Sequence, residues 1–219
     1  MTTNLNEKVG VIGDVHTEDH FLNEALENMI AQGAKTILCV GDIADGPGDI
    51  NRCCELLQQF EVFTVRGNHD RWLLANEVRN LEDATHLDDL TPDSLNFLQA
   101  LPQTRYFDSP MGQVMLCHGL GTRDMAKVSP RDEGYALESN FELQDLIADD
   151  TVQLVINGHS HGPMVRDFDG LTILNAGTLL RKHRPGYVIA NFSGGEVMRY
   201  AFKNQPDSVI KLGQINSKT

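Results

Sequence analysis

Five apolar runs in this chain each stop at residues able to ligate a metal, and that repetition limits the possible folds severely. Lys8-Val9-Gly10-Val11-Ile12-Gly13 leads into Asp14-Val15-His16, and Thr36-Ile37-Leu38-Cys39-Val40 into Gly41-Asp42-Ile43-Ala44-Asp45. Glu61-Val62-Phe63-Thr64-Val65 leads into Gly67-Asn68-His69-Asp70. Gln113-Val114-Met115-Leu116-Cys117 leads into His118-Gly119, and Val152-Gln153-Leu154-Val155-Ile156 into Gly158-His159-Ser160-His161. Short runs of β-branched and aromatic residues bounded by glycine read as strands. Near-continuous rather than alternating apolarity marks strands covered on both faces, as in parallel sheets. Ligands of open α/β sheets bind beyond the carboxyl ends of the strands. Taken alone, Gly67-Asn68-His69-Asp70 is an ordinary turn. Five such ends in one chain are a site.

The segments between these runs supply crossovers. A helix is expected from about Thr17, a possible N-cap, to Gln32, with Leu22, Ala25, Leu26, Met29 and Ile30 on its apolar face and Gly33 as its stop. A second runs from about Asp49 to Phe60. Strand–helix–strand–helix–strand at this spacing fits parallel strands with right-handed crossovers. Residues 71–103 read as an acidic helical insertion over one edge, with Thr91-Pro92-Asp93 as a helix start. A long loop with Gly121, Pro130 and Gly134 precedes a helix at about 140–149. Short strands at 163–168, 171–175, 186–192 and 195–202 follow, with hairpin turns at Asp169-Gly170 and Ser193-Gly194-Gly195. The pattern predicts a parallel-led first half and an antiparallel second half. Two mixed sheets packed face to face with flanking helices satisfy both. The expected organisation is one domain over 1–203 and a polar tail over 204–219.

Composition excludes several classes. The chain has 219 residues, enough for one well-packed domain. Its net charge of −13 opposes binding to nucleic-acid backbones, which depends on Lys and Arg. A small phosphorylated substrate stays compatible, because bound cations supply positive charge locally. Met1-Thr2-Thr3-Asn4-Leu5-Asn6-Glu7 lacks the features of a signal peptide, and no apolar stretch is long enough to span a membrane. Cys39, Cys53, Cys54 and Cys117 form no C-x-x-C pair and are read as reduced, in a cytoplasmic protein.

Five of the eight histidines fall at the strand ends, beside Asp14, Asp42 and Asn68. Carboxylates, an amide and imidazoles without thiolates suit borderline divalent metals such as Mn, Fe, Zn, Ni or Co. One structural zinc would use four ligands, and calcium would require more oxygens. Seven or eight ligands at one sheet edge are better explained by two ions. Cys117 precedes His118, so strand alternation turns its thiol away.

These segments, in order, resemble the calcineurin-like metallophosphoesterases, whose pattern is D-x-H, G-D-x-x-D, G-N-H-D/E, H-G and G-H-x-H. The resemblance covers residues 14–161. With Asn175-Ala176-Gly177-Thr178 and the short length, it is strongest to the small bacterial and archaeal phosphodiesterase branch. The resemblance implies a mixed α/β fold: a four-layer β-sandwich of two mixed sheets flanked by helices. It implies a first metal, Mn foremost, held by Asp14, His16, Asp42 and His161. A second would be held by Asp42, Asn68, His118 and His159, with Asp42 bridging. His69 would stay off the metals as general acid, oriented by Asp45 or by Asp70.

The implied activity is hydrolysis of a small phosphodiester. Two cations about 3.5–4 Å apart generate a hydroxide for in-line attack, and His69 protonates the leaving oxygen. Alternatives are a phosphomonoesterase or nucleotide-anhydride hydrolase, a Ser/Thr protein phosphatase, or a non-catalytic scaffold on the same fold. Protein phosphatases of this family carry Arg where this chain has Gly46, which weakens that reading. Asn175, Thr178 and Arg181 are candidates for substrate contact, the last within the basic run Arg181-Lys182-His183-Arg184. Trp72, the only tryptophan, reads as a packing residue that could instead stack on a base. His20 and His86 read as surface residues.

Overall fold

The computed structural model of the protein describes residues 3–77, 79–202 and 205–211. Eleven strands form two sheets. The first three are β1 (Lys8–Ile12), β2 (Thr36–Cys39) and β3 (Phe63–Thr64). They are parallel, with Val11 beside Leu38 and Cys39 beside Thr64. Helices α1 (Asp19–Ala31) and α2 (Ile50–Gln59) cross over between them. A third helix, α3 (Asn68–Leu74), follows β3 directly, so the Gly-Asn-His-Asp stretch is a helix start rather than a free loop.

The connection beyond α3 departs from a helical insertion. It holds a 3-10 turn at Leu87–Asp89 and α4 (Pro92–Ala100), with 75–77 and 79–86 in turns and irregular backbone. Thr91 caps α4 as expected, accepting from the Ser94 N–H at 3.2 Å. The N-cap of α1 is Glu18, not Thr17, and Ile30 on that helix is 51% exposed.

The second sheet contains β4 (Thr104–Ser109), β5 (Gly112–Cys117), β6 (Val152–Asn157), β7 (Met164–Phe168) and β8 (Leu171–Asn175) in the order β4-β5-β6-β8-β7. Strand β4 was not foreseen. Its only buried hydrophobic is Phe107, between exposed Tyr106 and Asp108, too little apolar pattern to mark a strand, and it lies at a sheet edge. The second half is also less antiparallel than expected, because β6 pairs parallel with both β5 and β8. Between β5 and β6 come α5 (Tyr135–Glu138) and α6 (Phe141–Ala148). Asp169 and Gly170, at φ 53° and 92°, make the tight β7–β8 turn, a conformation that favours Asp and Gly.

The chain then returns to the first sheet as β9 (Gly186–Asn191), β10 (Glu196–Ala201) and β11 (Gln205–Lys211), giving the order β11-β10-β9-β1-β2-β3. Strand β11 thus extends the sheet into the segment expected to be tail. Residues 203, 204 and 212–219 lie outside the described residues.

Side-chain alternation produces the four layers. Val9, Val11 and Leu38 point into the space between the sheets and meet Leu116, Ile156 and Leu174 of the second. Ile37 and Cys39 point the other way, under Leu26 and Met29 of α1 and Leu57 of α2. Val155 and Ile173 face Leu143 and Leu146 of α6. Fully burying each such side chain contributes about 1.5–3 kcal/mol. All four cysteines are free and buried, within these apolar layers. Among the described residues no helix is long and apolar enough to cross a membrane.

Candidate metal centre

Parallel pairing aligns the carboxyl ends of β1, β2 and β3, and of β5 and β6, and the two sheets bring these ends to one edge. Contacts across the sheets weld the edge together. The His118 ring donates from Nδ1 to Val40 O at 2.8 Å, and the His159 N–H donates to Asp14 Oδ1 at 2.9 Å. Within the first sheet, the His69 N–H donates to Asp42 Oδ1 at 2.8 Å.

Three groups of ligand atoms result, each within 4.8 Å of one another: Asp14, His16 and His161; His16, Asp42 and His69; and Asp42, His118 and His159. Asn68 joins the last, its Oδ1 2.9 Å from His118 Nε2. All seven ligand candidates expected from the sequence therefore meet. The middle group adds His69, which the sequence reading kept off the metals.

The backbone is held in an unusual form to do this. His16, Asp42, Asp45, His159 and His161 all have φ between 47° and 63°. Each such left-handed residue costs on the order of 1–3 kcal/mol and persists where its surroundings over-determine it. Two glycines allow the approach. A Cβ on Gly67 would collide with Asp42 Oδ1, and one on Gly158 would lie 3.0 Å from both oxygens of Asp14.

The donor set suits divalent transition metals. His16 donates from Nδ1 to the carbonyls of Ala44 and Asp45 at 3.1 and 2.9 Å, which leaves Nε2 as a lone pair. That Nε2 lies 3.1 Å from Nε2 of His161. Burial, with the nearby His16 and His183, pushes the His161 pKa down to about 3, so this ring is neutral. Two lone pairs so close repel unless a cation lies between them. Asp14 Oδ2 is buried with no hydrogen-bond partner, and an orphaned buried carboxylate oxygen calls for a counter-charge. Burial, more than any neighbour, pushes the Asp14 pKa up to about 6. Burial alone would also raise Asp42, but His118 and the other histidines outweigh it and hold that carboxyl well below its usual range. The reciprocal effect on His118 opposes burial and pushes it up to about 10, through Asp42 and Asp14.

His69 differs from the ligands. Its Nδ1 lies 2.6 Å from Asp45 Oδ2. Burial disfavours its charge, yet the Asp45 hydrogen bond and nearby carboxylates raise its pKa. That carboxylate contact orients the ring and favours the form that can give up a proton. Asp70, the other carboxylate considered for this role, is committed elsewhere. Its Oδ1 accepts from the N–H groups of Ile43 and Ala44 at 2.7 and 3.1 Å, and its Oδ2 from that of Gly67 at 2.9 Å. It ties the β2 loop to the start of α3.

The three candidates for substrate contact are corrected. Asn175 is buried; its Nδ2 donates to Gly158 O at 2.7 Å and its Oδ1 accepts from the Gly177 N–H at 2.8 Å. Thr178 is buried and donates from Oγ1 to Asp14 O at 2.9 Å. Both shape the ligand loops from behind. Arg181 grips the buried carboxylate of Glu18 with Nε at 2.9 Å and Nη2 at 2.7 Å. Sequence reasoning missed that Glu18 anchor. It also missed Thr85, whose N–H donates to Asp45 Oδ1 at 2.8 Å and whose Oγ1 accepts from the Asp45 N–H at 2.9 Å. Nothing in the surrounding Leu81-Glu82-Asp83-Ala84-Thr85-His86 signals that contact.

A family model for the calcineurin-like phosphoesterase superfamily domain matches residues 8–195. The chain belongs to this superfamily. The uncharacterized protein MJ0912 of Methanocaldococcus jannaschii is 26% identical over 202 residues, covering 86% of this chain and 76% of that one. The phosphoesterase YfcE of E. coli shares the fold at TM-score 0.60 and 14% identity, over 94% of this chain and 99% of the other. A structure titled as a novel archaeal phosphodiesterase aligns at TM-score 0.55 and 13% identity, over 89% of this chain and 99% of the other. The four layers and the strand-end ligands described above are thus those of a phosphoesterase fold.

Proposed function

We propose that this phosphoesterase hydrolyses a small phosphodiester with two divalent cations, Mn foremost, seated between its two sheets. Asp14, His16, Asp42 and His161 hold one cation, and Asp42, Asn68, His118 and His159 the other. Bound there, the cations neutralise phosphoryl charge and activate a water for attack. His69 donates the proton that the leaving oxygen needs, and Asp45 holds the ring in position with Nε2 turned outward. The 2.6 Å contact between His69 and Asp45 carries this reading, because it pairs a proton donor with a cluster of metal ligands.

Gly46 favours a diester over a phosphoprotein or other monoester. A monoester is dianionic and gains more from an added cation beside the metals. A Cβ at position 46 would collide with His16 O, so an arginine is excluded there. The archaeal phosphodiesterase of the same fold is consistent with this preference. The cytoplasm as compartment and a small phosphorylated molecule as partner complete the proposal.

The test is metal-stripped protein assayed before and after addition of Mn, on bis(p-nitrophenyl) phosphate and on p-nitrophenyl phosphate. Recovery on addition of metal, with the diester turned over faster, is expected. Full activity after verified metal removal would sink the metal-dependent reading. A faster monoester would replace the diester by the monoesterase alternative.

A further inference from the structure

Beyond the metal ligands, one cation next to His69 has no assigned task. Trp72 lies one helical turn after His69, and the two rings meet edge to face with centroids 5.1 Å apart. The Arg79 guanidinium covers the indole, its Cζ 4.0 Å from the ring centroid. The other arginine near this tryptophan, Arg71, is already paired, its Nε 2.5 Å from Asp124 Oδ2. Among the described residues no carboxylate lies within ion-pair distance of Arg79.

Stacking uses only the flat face of a guanidinium. Its N–H donors lie in the plane and stay free for a bidentate bond to an anion. The position matters as much as the chemistry. Arg79 is separated from the proposed proton donor by a single indole.

We infer that Arg79, stacked on Trp72, binds a second anionic group, a phosphate carried by the leaving alcohol of the substrate. This rests on the phosphoesterase reading, since it defines the leaving-group side by His69. The preferred substrate is then a diester whose leaving group ends in a phosphate, rather than one releasing a neutral alcohol. Trp72 acts as the rigid support that places the guanidinium, and Arg79 is the residue that discriminates.

The test exploits the single tryptophan, whose fluorescence reports on this platform directly. Mn-reconstituted protein is titrated with alkylene bisphosphonates of two to six carbons, and with alkylphosphonates of the same lengths. The expected result is that at least one bisphosphonate binds about ten-fold more tightly than its matched monophosphonate. Arg79→Gln should remove that gain and leave monophosphonate binding unchanged. Arg79→Lys, which keeps the charge and loses the fork, should retain part of it. Lys127→Gln, an exposed cation on the His159 side, should retain all of it. No gain at any spacer length, or an equal gain in Arg79→Gln, overturns the inference. Because binding is read without turnover, failure of the hydrolase reading is separable. A gain that depends on Arg79 in a protein inactive on every ester would sink only the hydrolase reading.

Discussion

The metal cradle and the rim beside it are built by different means. The cradle hangs from strand ends in both sheets. Asp14, His16, Asp42, Asn68 and His118 are all at most 3% exposed. Their second atoms are tied to backbone groups of neighbouring loops. The rim takes His69 and Trp72 from α3 and Arg79 and Thr85 from the turn-rich connection after it, and all but Thr85 are only half-buried. A cradle residue depends on many elements at once, so its loss propagates. A rim residue acts on one partner, so its loss should be selective.

The strongest challenge to that contrast is Asp42→Asn. Asp42 belongs to two of the three ligand groups, so both ions should be lost. Activity should fall by more than the roughly 100-fold typical of changes outside the ligand shell. Metal analysis of the purified variant decides, and retention of one ion would refute the bridge.

Next in size is His69→Ala, with an expected loss of about 10²–10⁴-fold on alkyl diesters and far less on nitrophenyl diesters, whose leaving group scarcely needs a proton. Equal losses on both would turn His69 into a metal or substrate positioner.

Asp45→Asn and Asp70→Asn sharpen the comparison between the two carboxylates considered for His69. The first should reproduce the leaving-group bias of His69→Ala at smaller magnitude. The second weakens the acceptor for three backbone N–H groups and should cost about 1–3 kcal/mol of stability, with the bias unchanged. Denaturant melts beside paired-substrate kinetics separate the two outcomes.

Metal affinity should also depend on pH. Asp42 and Asp14 outweigh burial and keep His118 protonated in the metal-free protein, up to about 10. A cation must displace that proton, so binding should release it and tighten as pH rises from 6 to 9. Calorimetry in two buffers of different ionisation heat measures the release, and its absence would show that His118 does not ligate.

The smallest effect belongs to Thr85→Val, which removes the side-chain acceptor of the Asp45 N–H. A several-fold loss on alkyl diesters alone is expected, with metal content intact and Thr85→Ser restoring the rate. A loss of bound metal would instead make Thr85 part of the cradle.

The cradle was legible in the amino-acid sequence because each of its parts is local. An apolar run that ends in Gly-Asp or Gly-His is both a strand and a ligand position, and parallel pairing then leaves the ligands no other edge. The families of D-x-H and G-H-x-H spacings carry the same local information. The rim was not legible in this way. Asp70 is next to His69 in the chain and Asp45 is 24 residues away, yet it is Asp45, in a left-handed turn, whose carboxylate meets the ring. Asn175, Thr178 and Arg181 lie in the right loop, but burial and the Glu18 anchor turn their polar atoms toward backbone or carboxylate. Composition and strand-end pattern thus determined which atoms can meet a metal. The angles between loops far apart in sequence decided which carboxylate meets His69 and which arginine stacks on Trp72, because hydrogen bonds form by direction as well as proximity.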